Sequence, residues 1–308
     1  MSHSSHYLLL DRIEIEGANA ISSPITYGFP ALSGFMGAIH ALNRKLMQSG
    51  LEVDLSGVLV ACHEIHVQRY RPHPYTDYTF NQGRNPIKKD GKTASIIEEG
   101  KAHLTVSLVL EVSASRQAAR DIDDDQATIE QQCKALVFQQ RIAGGSVVAI
   151  KGVQLYSYTN EEDIKKALLP AFVLMDAQEH LIDITHQMQT TAPEATALDA
   201  LIELATLHHE PVANEKSGWK TRSKKTGRGW LVPMPVGYQG LIPAFDSGKL
   251  ENSRNPEYSS QYVETIYSLG KWVFPRRLPN QFSNCFWRYS QSDNLYLFTQ
   301  TTEAYQGE

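Results

Sequence analysis

Alternating apolar residues in three separate stretches constrain this chain more than any other feature of its sequence. In "YLLLDRIEIEG" (7–17) the alternation runs from Leu8 to Glu16, with a strand expected to end near Gly17. In "GVLVACHEIHVQRY" (57–70) Val58, Val60 and Cys62 alternate, then Ile65 and Val67; in "AHLTVSLVLEV" (102–112) Leu104, Val106, Leu108 and Leu110 do. A period of two marks strands with one buried face. Between the first two, Phe35, Met36, Ile39, Leu42 and Leu46 fall at helical spacing and predict a helix over 33–47 with Ser33 as N-cap. A second helix is predicted over 123–142, the acidic "DIDDD" suiting the positive end of a helix dipole. It stops at Gly144 and Gly145, before the apolar "SVVAI".

The order strand, helix, strand, strand, helix, strand is that of the ferredoxin-like split βαβ unit, so the expected class is α+β. The core is assigned to 7–160, with an excursion at about 68–103 that is too long for a hairpin loop and should carry its own short structure. A helical insertion is expected over 161–212, punctuated by Pro170 and Pro193. Residues 213–308 hold a basic loop, "NEKSGWKTRSKKTGRG", and strands that complete the core, closing with a hairpin around Ser292 to Asn294.

No run reaches the roughly 18 apolar residues of a membrane span, and the start lacks the features of a signal peptide, so a cytoplasmic protein with no membrane partner is expected. Three cysteines without a CxxC spacing argue against a disulfide framework and a zinc site. Phosphate-loop, dinucleotide, metalloprotease and serine-hydrolase signatures are absent, and no catalytic residue, metal or cofactor is expected. His63 and His66 are expected on opposite faces of a strand. His208 and His209 are read as the end of a helix, and His3 and His6 as part of a disordered terminus.

A net charge of −5 does not announce a nucleic-acid binder. Its distribution does more: 68–103 holds Arg69, Arg71, Arg84, Lys88, Lys89, Lys92 and Lys101 interleaved with Tyr70, Tyr75, Tyr78 and Phe80. Cations and aromatics on one projection suit phosphates with bases to stack, although a solvated charged loop has the same composition. In "NAISSPITYGFPALSGFMGAIHAL" (19–42) a polar loop runs into a helix start, a place where backbone N–H groups attract phosphate. There Asn19, Ser22, Ser23 and Thr26 can reach phosphate, sugar or base edges, or simply form a capping turn, with Gly28, Gly34 and Gly37 allowing close packing. "RIAGGS" puts Arg141, Gly144 and Gly145 at a helix end, where a plain C-cap explains the glycines as well. Tyr238 in "PMPVGYQG" is a stacking platform or a core tyrosine.

Together, "NAISSPITYGFPALSGFMGAIHAL", "FNQGRNPIKKDGKTASIIEEGKAHLTVSLVL", "QRIAGGS", "PEATALDAL" and "GWLVPMPVGYQGL" resemble the second-subunit family of the type I-F CRISPR surveillance assembly, in the Cas-five branch of the RAMP proteins. The resemblance is near full length and weak at 1–6, 113–128, 151–165 and 213–228. It implies an RNA-recognition-like core with a protruding β-hairpin thumb and a helical insertion. It also implies a ribonucleoprotein role in antiviral defence: gripping the 5′ handle of the CRISPR RNA, paired with the large type I-F subunit beside a backbone subunit, and meeting target DNA only through the assembled complex. The RNA-binding set expected on that basis is Asn19, Ser22, Ser23, Thr26, Phe29, Arg84, Asn85, Lys88, Lys89, Thr93, Arg141, Gly144, Gly145 and Tyr238. Other Cas-five proteins cut precursor RNA, so a metal-independent ribonuclease is one alternative and a protein-only adaptor another.

Overall fold

The computed structural model describes residues 4–212 and 218–300. The chain forms two compact units that divide after Phe172. The first opens with β1 (Ser4–Asn19), a small hairpin of β2 (Ile21–Ser23) and β3 (Thr26–Tyr27), and helix α1 (Leu32–Gln48). Then come β4 (Val53–Val67), the short strands β5 (Arg69–Tyr70), β6 (Thr79–Arg84) and β7 (Ile96–Glu99), and the long β8 (Lys101–Ala114). Helices α2 (Arg116–Asp124) and α3 (Gln126–Phe138), strands β9 (Arg141–Ile142) and β10 (Gly145–Ser157), and α4 (Glu161–Ala167) complete it.

The sheet of this unit runs β4-β8-β1-β10-β9, each neighbouring pair antiparallel. Helix α1 packs on β4 and on α3, and α3 packs on β10, so both helices cover one face. Phe35, Met36, Ile39, Leu42 and Leu46 are the buried stripe of α1, as helical spacing requires. In β1 every residue from Tyr7 to Asp11 is buried, so both faces are covered there, whereas just beyond Arg12 Ile13 and Ile15 are buried and Glu14 and Glu16 are exposed. The change coincides with a register slip against β8 between Leu10 and Ile13, where Arg12 adopts φ 47° and β1 carries one extra residue, a bulge; against β10 the slip comes between Glu14 and Ile15.

The predicted helix over 123–142 is two helices broken at Asp125, which has φ −126° and ψ 35°. Ser115 starts the first, its Oγ accepting the Ala118 N–H at 3.2 Å. "DIDDD" ends α2 instead of opening a helix. Four carboxylates in five positions repel one another and sit badly at the negative end of a helix, so the chain breaks and restarts. Ser33 is not the N-cap of α1; the helix begins one residue earlier, after Ala31, with no side-chain cap. His6 is no disordered terminus either: it lies buried in β1, with Nε2 2.9 Å from Asp123. His3 falls outside the described residues, as do 213–217 of the basic loop.

The second unit begins within β11 (Phe172–Asp176), at Val173, and continues with α5 (Gln178–Gln189), α6 (Ala197–Ala205), β12 (His208–Pro211), β13 (Trp219–Arg222), β14 (Trp230–Gly240), β15 (Val263–Val273), β16 (Arg288–Ser292) and β17 (Leu295–Thr299). Its main sheet runs β16-β17-β14-β15-β11, all antiparallel. Leu181, Ile184, Leu201 and Leu204 of α5 and α6 pack on Leu231 and Leu269 of that sheet. Thr196 and Asp199 form a reciprocal capping box at the start of α6. His208 and His209 do not end a helix: α6 stops at Ala205, and both residues pair with β13 in a separate two-stranded hairpin.

Candidate nucleic-acid interface

At one end of the first unit's sheet, β1 finishes at Asn19, β8 begins at Lys101 opposite it, and β10 begins at Gly145. Three connections leave from this end: the β2–β3 hairpin, the excursion between β4 and β8, and the β9–β10 turn. Most of the expected RNA-binding residues lie on them.

The β2–β3 hairpin is tied internally. Ser23 Oγ accepts the Ile25 and Thr26 N–H groups at 3.2 and 3.0 Å and lies 2.6 Å from Thr26 Oγ1. Ser22 Oγ lies 2.8 Å from Thr26 Oγ1 and 3.1 Å from the Thr26 carbonyl. Asn19 closes its own turn, donating from Nδ2 to the Ile21 carbonyl at 2.9 Å and accepting the Ile21 N–H at 3.1 Å. The side-chain polar atoms of this loop thus hold its shape, and what it turns outward includes the exposed Ile25 and Tyr27. Phe29 stacks on Phe35 of α1, with ring centroids 5.4 Å apart.

The neighbouring turn fixes the helix start. Ala143 and Gly144 have φ of 49° and 80°, the double positive φ of a type I′ two-residue hairpin. A Cβ on Gly34 would stand 2.8 Å from Ala143 Cα, so glycine there permits α1 to approach this turn. Asn19 donates its N–H to the Ala143 carbonyl at 2.8 Å, joining the hairpin to the same turn. Arg141 folds back on the Gly144 carbonyl, Nε at 3.0 Å. Gly145 is packed against Ile15 and the backbone of Glu16 and Ala18, where no side chain fits.

The excursion is a three-stranded antiparallel sheet, β5-β6-β7. Tyr27 of the small hairpin meets Phe80 of β6 edge-on at 5.3 Å, which couples the two projections. Arg84 ends β6; beyond it the Gly91 N–H bonds to the Lys88 carbonyl at 2.9 Å, and the Lys88 N–H to the Lys92 carbonyl at 3.0 Å. This tight turn presents Lys88 and Lys89, with Arg84, Asn85 and Thr93 exposed beside it. The one ion pair of the excursion among the described residues joins Lys92 to Asp90 at 3.6 Å. Arg69 and Arg71 lie over the Tyr78 ring, 4.2 and 5.1 Å from its centroid. This end of the sheet therefore combines unpaired cations with guanidinium–aromatic stacks, a surface suited to a phosphate backbone with accessible bases.

Elsewhere in this unit, His63, Ser107 and Asp11 form a chain of polar side chains. His63 Nδ1 lies 2.8 Å from the Pro170 carbonyl and Nε2 lies 2.8 Å from Ser107 Oγ. Ser107 is buried, accepts the Arg12 N–H at 2.9 Å and sits 3.2 Å from Asp11 Oδ1. Asp11 also holds Arg12 and Lys151, each at 2.9 Å. Because a carbonyl only accepts, Nδ1 carries the proton. Burial pushes the pKa of this imidazole down, against the pull of the Pro170 carbonyl. Arg12 is thus held at its kink by Ser107, Asp11 and the Leu169 carbonyl, which accepts from its guanidinium at 2.7 Å, while His63 links Ser107 to the Pro170 carbonyl. Among the described residues no group of three His, Cys, Asp or Glu side chains is placed to hold a metal ion. Tyr238 belongs to the second unit, on β14 between Thr265 and Tyr296 of the neighbouring strands.

The model of the CRISPR-associated protein family Cas_Csy2 matches residues 8–298 of this chain. Among curated proteins, the CRISPR-associated protein Csy2 of Pseudomonas aeruginosa (strain UCBPP-PA14) is 35% identical over 322 aligned residues, covering 97% of this chain and 95% of the relative.

Proposed function

This chain belongs to the Csy2 family of CRISPR-associated proteins, and we propose that it is a non-catalytic RNA-binding subunit of a type I-F surveillance complex, gripping the 5′ handle of the CRISPR RNA. The observation that carries the reading is the meeting, at one sheet end, of a stiff hairpin, a type I′ turn and an excursion whose cations Arg84, Lys88 and Lys89 have no carboxylate partner among the described residues. Cations supply sequence-independent affinity and shaped backbone supplies position. The strand order β4-β8-β1-β10 with two helices on one face supports a ferredoxin-like core with the excursion as its thumb. Pairing with the large subunit, contact with a backbone subunit, access to target DNA only in the assembled complex and a cytoplasmic location rest on the family resemblance. No helix among the described residues is long and apolar enough to cross a membrane.

A non-catalytic role is supported by the His63–Ser107–Asp11 chain, whose polar atoms are engaged by one another, by Arg12 and Lys151 and by the Pro170 carbonyl. The adaptor alternative draws on Glu14, Glu16 and Glu64, exposed residues that make no ion pair among the described residues and line a shallow pocket with His66 and His103. They lie outside the excursion, whose Arg84, Lys88 and Lys89 have no carboxylate partner among the described residues, which fits RNA on one surface and protein on another. The test is incubation of the chain, purified with its large subunit, with repeat-derived handle RNA and an unrelated RNA of equal length. Preferential binding of intact handle RNA is the expected result. Cleavage of the RNA would transfer the reading to the ribonuclease, and indifference to RNA would transfer it to the adaptor.

A further inference from the structure

The second unit has a charge asymmetry that the handle reading does not use. From 218 to 245 the sequence holds five cations and no carboxylate, in a chain whose net charge is −5. Two of the five are engaged: Arg222 pairs with Glu210 at 3.1 Å and Arg228 donates to Gln187 at 3.2 Å. Lys220, Lys224 and Lys225 have no carboxylate partner among the described residues. Tryptophans stand at both ends of this basic segment, Trp219 67% and Trp230 57% exposed. Trp230 faces Trp272 across the β14–β15 ladder with centroids 6.2 Å apart, and the Lys271 side chain runs against Gly229, where a Cβ would lie 2.8 Å from Lys271 Cε. Gly227 and Gly229, with φ of 79° and 89°, turn the backbone on either side of Arg228.

Tryptophan exposed to this degree leaves a large apolar face in water. An acidic protein surface would neutralise the lysines but offer the exposed indole area nothing to stack on. A duplex would meet the lysines but keep its bases stacked within itself. A single strand satisfies both, with phosphates on lysine point charges and unpaired bases on indole faces, and it needs no sequence readout. We propose that the second unit carries a separate binding site for single-stranded nucleic acid, formed by Lys220, Lys224, Lys225 and Lys271 with Trp219 and Trp230.

The probe is oligouridylate without the handle sequence, and the protein is the full chain with its large subunit. Binding is read by fluorescence anisotropy and by quenching of tryptophan emission. Replacing Lys220, Lys224 and Lys225 by alanine should weaken binding about tenfold or more and make the salt dependence shallower by about 2 in log–log slope, since each phosphate contact on a single strand contributes about 0.7. Trp219→Ala should weaken it about tenfold and reduce the quenching, and Trp219→Phe should restore most of the affinity. Should the alanine protein melt below the parent, Lys→Gln replacements and the Trp219 pair carry the same test. The Arg84→Ala/Lys88→Ala/Lys89→Ala protein, which lacks the excursion's own sequence-independent affinity, should still bind oligouridylate through the second unit, and the replacements above are read in that background, so failure here and failure of the handle reading are distinguishable. Equal binding of duplex, equal competition by polyglutamate, or unchanged affinity in the folded variants would each overturn the proposal.

Discussion

The small β2–β3 hairpin and the neighbouring excursion sit side by side at one sheet end, yet their polar groups are used in opposite ways. In the hairpin, Ser22, Ser23, Thr26 and Asn19 bond to one another and to the local backbone. On the excursion, Arg84, Lys88 and Lys89 have no carboxylate partner among the described residues, and the turn that carries them is closed by two backbone bonds and by Asp90, which accepts the Lys92 N–H at 3.1 Å and pairs with its ammonium at 3.6 Å. A loop that satisfies its own donors keeps a fixed shape and gains little from a new acceptor. A loop with uncompensated cations gains most from a polyanion. The contrast assigns geometry to the hairpin and affinity to the excursion, and substitutions can separate the two.

The largest expected effect breaks the platform on which both stand. Gly145→Ala places a Cβ 2.7 Å from the Glu16 carbonyl and 2.8 Å from the Ala18 nitrogen, both backbone atoms that cannot turn aside. Overpacking of this kind costs about 3 kcal/mol, read as a lowered denaturation midpoint. A midpoint equal to the parent's would show that the strands part easily. Next in size, the Arg84→Ala/Lys88→Ala/Lys89→Ala protein should bind handle RNA about ten- to a hundredfold more weakly at roughly 0.1 M salt, with its melting temperature unchanged. Ser23→Ala should do the reverse: removing an acceptor of two N–H groups costs about 1 kcal/mol of stability while leaving RNA affinity within about twofold. A folded Ser23→Ala protein that has lost handle binding would assign recognition to that hydroxyl and dissolve the contrast.

The smallest effect concerns pH. Burial holds His63 below its ordinary pKa of 6.5, so between that value and the lowered one the unfolded chain binds more protons than the folded chain. Stability therefore falls as pH drops through about 6.5. His63→Gln should show less acid destabilisation in that window than the parent, measured by denaturant midpoints; identical pH profiles would remove His63 from the account.

Periodicity made the order of strands and helices in the first unit legible, because apolar spacing marks the elements, as in Phe35 to Leu46 of α1 or Leu104 to Leu110 of β8, although β8 is buried on both faces from Val106 to Ser113 and alternation did not announce that. It failed where charge or register decides. The break at Asp125 answers to repulsion among neighbouring carboxylates, and the bulge at Arg12 depends on Ser107, 95 residues away. Candidate residues were legible by type more than by use. Serines and an asparagine ahead of a helix suggest ligand contacts, but only coordinates show Ser23 closing its own turn and Gly34 making room for Ala143. The Tyr27–Phe80 contact that joins hairpin to excursion links residues 53 apart, and nothing local signals it.

The central claim, that cations on the excursion hold RNA while the hairpin sets its position, is tested most directly by titrating handle RNA affinity against salt for the parent and for the Arg84→Ala/Lys88→Ala/Lys89→Ala protein. Three lost phosphate contacts on a single strand should make the log–log slope shallower by about 2, with the two lines converging as salt rises. Parallel lines, with the variant weaker by the same factor at every salt concentration or not weaker at all, would contradict it.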